Sequence, residues 1–520
     1  MSQGFQQIRD HMTTRNDSFL KKAEALTPEL HCSDIYPVSE VSMCKDTSSA
    51  HGWRADKRRT IKQLEETVFV SGDEFILDLG VHCVGYLEFS CEVIGSPQDA
   101  PVHLQFIFGE TTAEVAESFS SYDGWLSSSW FQQEDQYYDV LPPAVSLARR
   151  YCCRYIKVRI VATSRKFGIS IKDVKFQSIT SAGGPCAVKH FADPLLNKIN
   201  AISISTLKNC MQSVFEDGPK RDRRLWLGDL RLQALVNYAT FQQNDLVKRC
   251  LYLFAGVTRN DGMVSANLFM QPTVQADDTY LTDYSLFFVA TLADYFAETG
   301  DIACVQELWP TAMRQIELAI ARLDENYLLK DSSEWWAFID WNDQLNKQAA
   351  TQGVLIYCIH KALKLAEVID MDKMAYLLDL EAKLKQMTLI HLWDSDRGFF
   401  VSGASAQISW ASQVWLILAD VGDREFQIAL LERLHSNPPQ IRMQTPYMMH
   451  HYVDALLMCG LRSQAGGVIR GYWGAMAELG ADTFWEVFDP SQPDLSPYGS
   501  PLINSYCHAW SCTPAWLLLK

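Results

Sequence analysis

Residues 216–229 read EDGPKRDRRLWLGD. Asp217, Asp222 and Asp229 stand here among Arg221, Arg223, Arg224 and Trp226, with Gly218-Pro219 and Gly228 interrupting regular structure. Two readings fit these residue types. In one, the stretch is a charged helix start laced with ion pairs. In the other it lines a sugar pocket, where carboxylates bind hydroxyls or donate a proton, arginines hold the carboxylates, and the indole covers an apolar sugar face.

Outward from this stretch the hydrophobic pattern has two regimes. Upstream, Ile156, Val158 and Ile160 alternate with Lys157, Arg159 and Val161, and Ile169, Ile171 and Val174 follow after a turn. Val68, Val70, Phe75 and Leu77 belong to similar short runs broken by Ser71-Gly72 and Gly80. This spacing predicts an antiparallel β-sandwich over residues 66–185, with SITSAGGP (178–185) as its boundary. Residues 1–65 show little periodicity and read as an arm, or as a few short elements packed on other domains. After Asp193-Pro194 the period turns helical: Leu286, Val289, Ala293 and Phe296 are spaced three, four and three. Leu355, Ile359, Ala362, Ala366 and Ile369 repeat similarly, as do Met448, Tyr452, Ala455 and Cys459. About a dozen helices fit in residues 186–520 at ordinary helix and loop lengths. That count suits an (α/α)6 toroid or a helical solenoid, and the lack of a fixed-period repeat weighs against the solenoid.

Length and composition narrow the function. A chain of 520 residues implies two to three domains, and 48% hydrophobic with 21% charged residues is the balance of a globular enzyme. A formal net charge of −16 argues against a nucleic-acid partner, because phosphate binding needs a basic footprint. A neutral glycoside is compatible with it, and 15 Trp suit sugar stacking, although large helical cores use Trp too. The 14 cysteines include no C-x-x-C and no zinc spacing, so neither a metal nor a cofactor is expected. Adjacent Cys152 and Cys153 in a strand would face opposite ways, which is poor disulfide geometry. No phosphate loop, dinucleotide fingerprint or G-x-S-x-G turn appears, and His450-His451 lack a third ligand at metal spacing. The amino terminus has no apolar signal region and no stretch of ~20 residues is apolar enough to span a bilayer, so a cytoplasmic protein with no membrane partner is expected.

DGPKRDRRLWLGD (217–229) resembles the signature of the α-L-rhamnosidases of glycoside hydrolase family 78. TDYSLFFVATLADYFAETGD (282–301), FIDWND (338–343), TPYMMHHYVDALLMCG (445–460), GADTFWEVFD (480–489) and SYCHAWSCTPAWLL (505–518) fit the same family in order, and FILDLGVHCVGYLEFSCEV (75–93) is similar to its β-sandwich strands. Gly218 stands where the family usually has Cys, and the spacing from Asp222 to Trp226 is shorter than in the commonest form. The resemblance implies an N-terminal antiparallel β-sandwich followed by an (α/α)6 barrel. It implies an inverting exo-glycosidase that releases terminal α-L-rhamnose from small rhamnosides such as flavonoid glycosides and rhamnose disaccharides. Asp222 would be the general acid. Arg221 and Arg223 flank it, so desolvation or a neighbouring carboxylate must keep it protonated, and Asp217 and Asp229 are candidates for that. Glu486 would be the base; its apolar neighbours mean that the carboxylate needs a purpose or a partner. Asp217, Arg221, Trp226, Asp229, Asp340, Trp341 and His508 would bind the sugar, with Trp335-Trp336 ranked below Trp341. An inverting pair should stand roughly 6.5–9.5 Å apart. Two alternatives stay open: an (α/α)6 glycosidase for a uronide, with Arg221 or Arg224 as the carboxylate clamp, and a sugar-binding homologue without catalysis. The compact form lacks room for further β-domains, which leaves a homodimer as a source of an aglycone site.

Overall fold

Long strands end at Thr180 and long helices begin at Pro194 in the computed structural model, which describes residues 12–332 and 335–520. Residues 1–11 of the expected arm lie outside the described residues. The strands form one antiparallel ladder of nine, in the order 31–35, 167–180, 74–95, 151–162, 102–109 and 133–138, with 39–45, 53–59 and 144–146 attached at its sides. Strand Glu74–Gly95 is long enough to serve two halves of this sheet, and its pairing with 151–162 slips between Asp78 and Cys83. A slip of this kind bends a strand and re-aims its side chains. Apolar residues of both halves then face each other: Phe75 and Leu77 share a core with Leu87 and Phe89, and the Phe89 ring lies 5.8 Å from that of Phe106. Cys153 joins this core whereas Cys152 faces the helices, as strand alternation requires.

Three short helices accompany this part: α1 (Asp17–Ala25), α2 (Ile61–Glu65) and α3 (Thr112–Ala116). The helical part holds α4 (Pro194–Cys210), α5 (Leu227–Ala239), α6 (Asn244–Gly256), α7 (Thr282–Thr299), α8 (Ile302–Ile320), α9 (Gln348–Ile369), α10 (Met371–Leu392), α11 (Trp410–Leu418), α12 (Arg424–Ser436), α13 (Pro446–Met458), α14 (Arg462–Glu478) and α15 (Pro514–Leu517). Every second helix packs on the next but one: α5 on α7, α7 on α9, α9 on α11 and α11 on α13, and the turn at Ala509–Ser511 contacts both α13 and α5. The inner helix α5 is buried nearly all round with polar side chains included, whereas α7 buries Leu286, Phe287, Phe288 and Val289 in succession. Gly353 lets α9 approach α11, since a Cβ there would sit 2.7 Å from the Trp415 carbonyl carbon.

Polar contacts join the two parts. Arg150 bonds Glu216 at 2.8 Å, the Tyr506 amide donates to Glu110 at 2.8 Å, and the Lys220 ammonium meets Glu114 in a fully buried pair. The amino-terminal segment crosses the other way: Thr13–Arg15 pairs with Val257–Arg259, and α1 packs on α6.

Candidate active site

The stretch that opened the sequence reading is a loop followed by a helix start. Residues 217–224 are irregular, Leu225–Trp226 pairs with Asn267–Leu268, and α5 begins at Leu227 with Asp229 in its first turn. The loop is held by its own acid: Asp217 accepts the Asp222 amide at 3.1 Å and the Arg224 amide at 3.0 Å. Gly218 has no space for the family's side chain, because a Cβ would sit 2.4 Å from the Arg221 carbonyl oxygen and 2.6 Å from Ser505 Oγ. Backbone bonds then gather the distant segments. Glu486 N donates to Ser505 O at 3.0 Å, His508 N to Phe484 O at 2.9 Å, and Ala509 N to Asp217 O at 2.9 Å.

A cavity of about 760 Å³ opens at the N-terminal ends of α5, α7 and α9. Asp217, Asp222, Trp226, Asp229, Asp340, Trp341, Glu486 and His508 all line it, together with Trp335 and Trp336. Arg221 lies behind the wall. Its Nη2 meets Glu486 Oε2 at 2.5 Å, its Nη1 stands 3.7 Å from Asp222 Oδ1, and its Nε donates to the Ile503 carbonyl at 3.0 Å. One buried guanidinium therefore touches both candidate catalytic carboxylates.

The four acids differ in setting. Burial, with Asp222 and Asp229 nearby, pushes the Asp217 carboxyl up to about 7. Burial also raises Asp229, against the opposing pull of His508, whose Nε2 lies 3.0 Å from its Oδ1. Burial acts on Glu486 in the same sense, but Arg221, His508 and the Tyr498 hydroxyl together overcome it and hold Glu486 below the usual range. Asp222 keeps about a fifth of its side chain exposed, whereas Asp217 is nearly sealed. Burial works against protonation of His508, yet its bond to Asp229 and the charge of Glu486 raise it above the ordinary histidine value. Among the described residues, His508 Nδ1, Trp226 Nε1 and Trp341 Nε1 are buried with no hydrogen-bond partner.

Asp340 lines the cavity, but Oδ1 accepts the Thr445 hydroxyl at 2.6 Å and the Trp341 amide at 3.0 Å, and Oδ2 accepts the Gln444 amide at 2.8 Å. Its acceptors tie the loop that carries Trp341 to the start of α13. His450 and His451 sit fully buried in α13, and His451 bridges the Tyr447 carbonyl and Arg231. Sequence reasoning missed Tyr284, Tyr498 and Trp510, which complete the wall. Tyr498 lies in the turn-rich SPYGSP segment, and nothing in its spacing links it to Glu486.

Comparison with known proteins agrees with this architecture. Residues 37–178 match the glycosyl hydrolase family 78 α-rhamnosidase N-terminal domain, and residues 190–422 match the bacterial α-L-rhamnosidase six-hairpin glycosidase domain. No curated protein sequence matches significantly. Among solved structures, a rhamnosidase from Klebsiella oxytoca with rhamnose bound is 55% identical, with a TM-score of 0.96 over 98% of this chain and 99% of that one. A GH78 family rhamnosidase of Bacillus sp. GL1 is 22% identical, with a TM-score of 0.75 over 90% of this chain and 49% of its own. The Streptomyces avermitilis α-L-rhamnosidase complexed with L-rhamnose is 14% identical, with a TM-score of 0.67 over 95% of this chain and 44% of its own. The last two share the fold alone. With two domain matches in series and a 55% identical rhamnosidase aligned end to end, this chain belongs to the family 78 α-L-rhamnosidases.

Proposed function

We propose that the protein is an exo-acting, inverting α-L-rhamnosidase for small rhamnosides, with residues 186–520 as its catalytic unit on a supporting β-sandwich of residues 66–185. The alternation of inner and outer helices supports an (α/α)6 barrel in which the segment around Ala509–Ser511 takes the sixth inner place. The observation that carries the mechanism is Arg221 between Asp222 and Glu486. Two carboxylates on one guanidinium, at 3.7 and 2.5 Å, can stand no more than about 8–9 Å apart. This bound accommodates an inverting pair and a retaining pair alike, and the anomer of the first product separates them.

Asp222 delivers the proton to the glycosidic oxygen, because its carboxyl reaches the cavity while both Asp217 oxygens are held by backbone amides. Burial and the charge of Asp222 raise the Asp217 carboxyl to about 7. Glu486, kept ionised by Arg221, accepts a proton from the water that attacks the anomeric carbon. Trp226, Trp341 and His508 line the cavity beside the two carboxylates and are the candidate sugar contacts. The Trp and Tyr rings form the apolar wall that a methyl pentose requires at C5. The rhamnose bound in the Klebsiella relative supports this sugar class. The uronide alternative loses its clamp: Arg221 serves Glu486, and Arg224 faces Asp277 at 3.5 Å.

Proton NMR of the first minutes of hydrolysis tests the stereochemistry. Release of β-L-rhamnose before mutarotation is expected, and initial α-rhamnose would rule out the mechanism. Absence of hydrolysis of any aryl α-L-rhamnoside would favour the non-catalytic homologue.

A further inference from the structure

We propose that Tyr498 is a positioning residue for the Glu486 carboxylate, held in place by the β-rich part through Gly124 and Trp125. The inference rests on Glu486 being the base. The Tyr498 hydroxyl donates to Glu486 Oε1, so the carboxylate is gripped at both oxygens, by a phenol on one and by Arg221 on the other. The same phenol ring lies under the guanidinium, 4.2 Å from its carbon to the ring centroid. Tyr498 thus fixes the base twice, directly and through the cation that pairs with it. A carboxylate bound only by Arg221 could swing about that contact, and a base must be held within a fraction of an ångström of its water.

The segment carrying Tyr498 has no regular structure to hold it. Within the segment, Ser496 Oγ donates to Asn504 Oδ1 at 2.7 Å and accepts the Tyr498 amide at 3.2 Å. Its outer support comes from a loop more than 370 residues away in sequence. Trp125 Nε1 donates to the Pro497 carbonyl at 2.9 Å, and the Trp125 and Tyr498 rings lie 5.5 Å apart. Gly124 sits so close that a Cβ there would lie 2.4 Å from the Tyr498 carbonyl oxygen, and Gly499, at φ +90°, passes 3.2 Å from the Gly124 α-carbon if given a Cβ. Only two glycines allow this approach. On its inner side Tyr498 meets Trp341 edge to face at 5.9 Å. The β-rich part therefore reaches the base through one tyrosine.

The charged and titratable groups around Glu486 are Arg221, His508, Asp229, Asp222 and Tyr498 itself. Of these, a Tyr498→Phe change removes one hydrogen bond that favours the ionised base and leaves the ring under Arg221. We expect kcat to fall about 10–100-fold with KM within about threefold. The acidic limb of kcat/KM should move up by about half to one pH unit, because the base then protonates more readily. Gly124→Ala, outside the cavity, should lower kcat and shift the limb in the same directions by displacing Tyr498; Trp125→Phe, a milder change, should do so weakly. Glu486→Gln separates the layers of the claim. If it retains activity, the base assignment fails. If it is inactive while folded Tyr498→Phe keeps the wild-type kcat and acidic limb, the positioning role fails. If Tyr498→Phe behaves as expected while folded Gly124→Ala and Trp125→Phe are both unaltered, the support from the β-rich part is overturned.

Discussion

A proton acid beside an arginine is an unfavourable arrangement, and Asp217, held within the same loop, is the neighbouring acid on which Asp222 acts as a like charge. Its carboxyl, raised to about 7, is protonated below that value and charged above it. Glu486 is held below the ordinary glutamate value and stays ionised through the weakly acidic range. Activity should therefore fall as Glu486 protonates, below about pH 4.5, and change again near pH 7 as Asp217 ionises. Asp222→Asn should cut hydrolysis of natural rhamnosides by ~10²–10⁴, with a smaller loss on an activated aryl leaving group. Initial rates on both substrates across pH check this, and equal losses would count against Asp222. The family resemblance expected Asp222, Glu486 and His508 in one pocket, and they line one cavity although 264 residues separate the first two. What could not be read was partnership. A sequence shows that Glu486 lies among aromatics; it does not show that Arg221 and Tyr498 grip it, because those contacts arise only when the 217–224 and 495–508 segments meet.

Helices and strands were clear where one face is apolar and obscure where geometry is set by turns. The 3–4 spacing from Leu286 to Phe296 lies within α7, and the alternation from Ile156 to Val161 lies in the strand 151–162. The slip at Asp78–Cys83 could not be read, since a bulge changes which face a residue takes without changing composition. Glycine positions carry a prediction at this scale. Gly353→Ala would gain about 1 kcal/mol in helix propensity, but its methyl group meets the Trp415 backbone, and overpacking costs about 1–3 kcal/mol. The net result should be a lower melting temperature. Gly467→Ala on α14, with nothing near its Cβ and an exposed site, should raise it by the propensity term alone. Thermal unfolding of the two variants side by side decides whether close approach, rather than propensity, fixes the α9–α11 contact.

At the scale of the molecule, the two parts are joined by charge as well as by apolar contact. Lys220 is sealed against Glu114, and it also donates to the Asn504 carbonyl at 2.8 Å. Lys220→Met leaves a buried carboxylate unpaired and should cost about 3–5 kcal/mol, read as an earlier denaturation transition. Adding Glu114→Gln should restore part of the loss; no recovery would mean that Lys220 acts through its carbonyl contacts instead. The amino-terminal crossing has another consequence, for synthesis. A ribosome adding 5–20 residues each second releases Arg15 roughly 12–50 s before its ladder partner Val257. Through that interval the strand Thr13–Arg15 has no template, and the β-rich part folds with this segment untied. Closure of the strap is therefore a late event, and it registers that the first quarter of the helical part has already emerged.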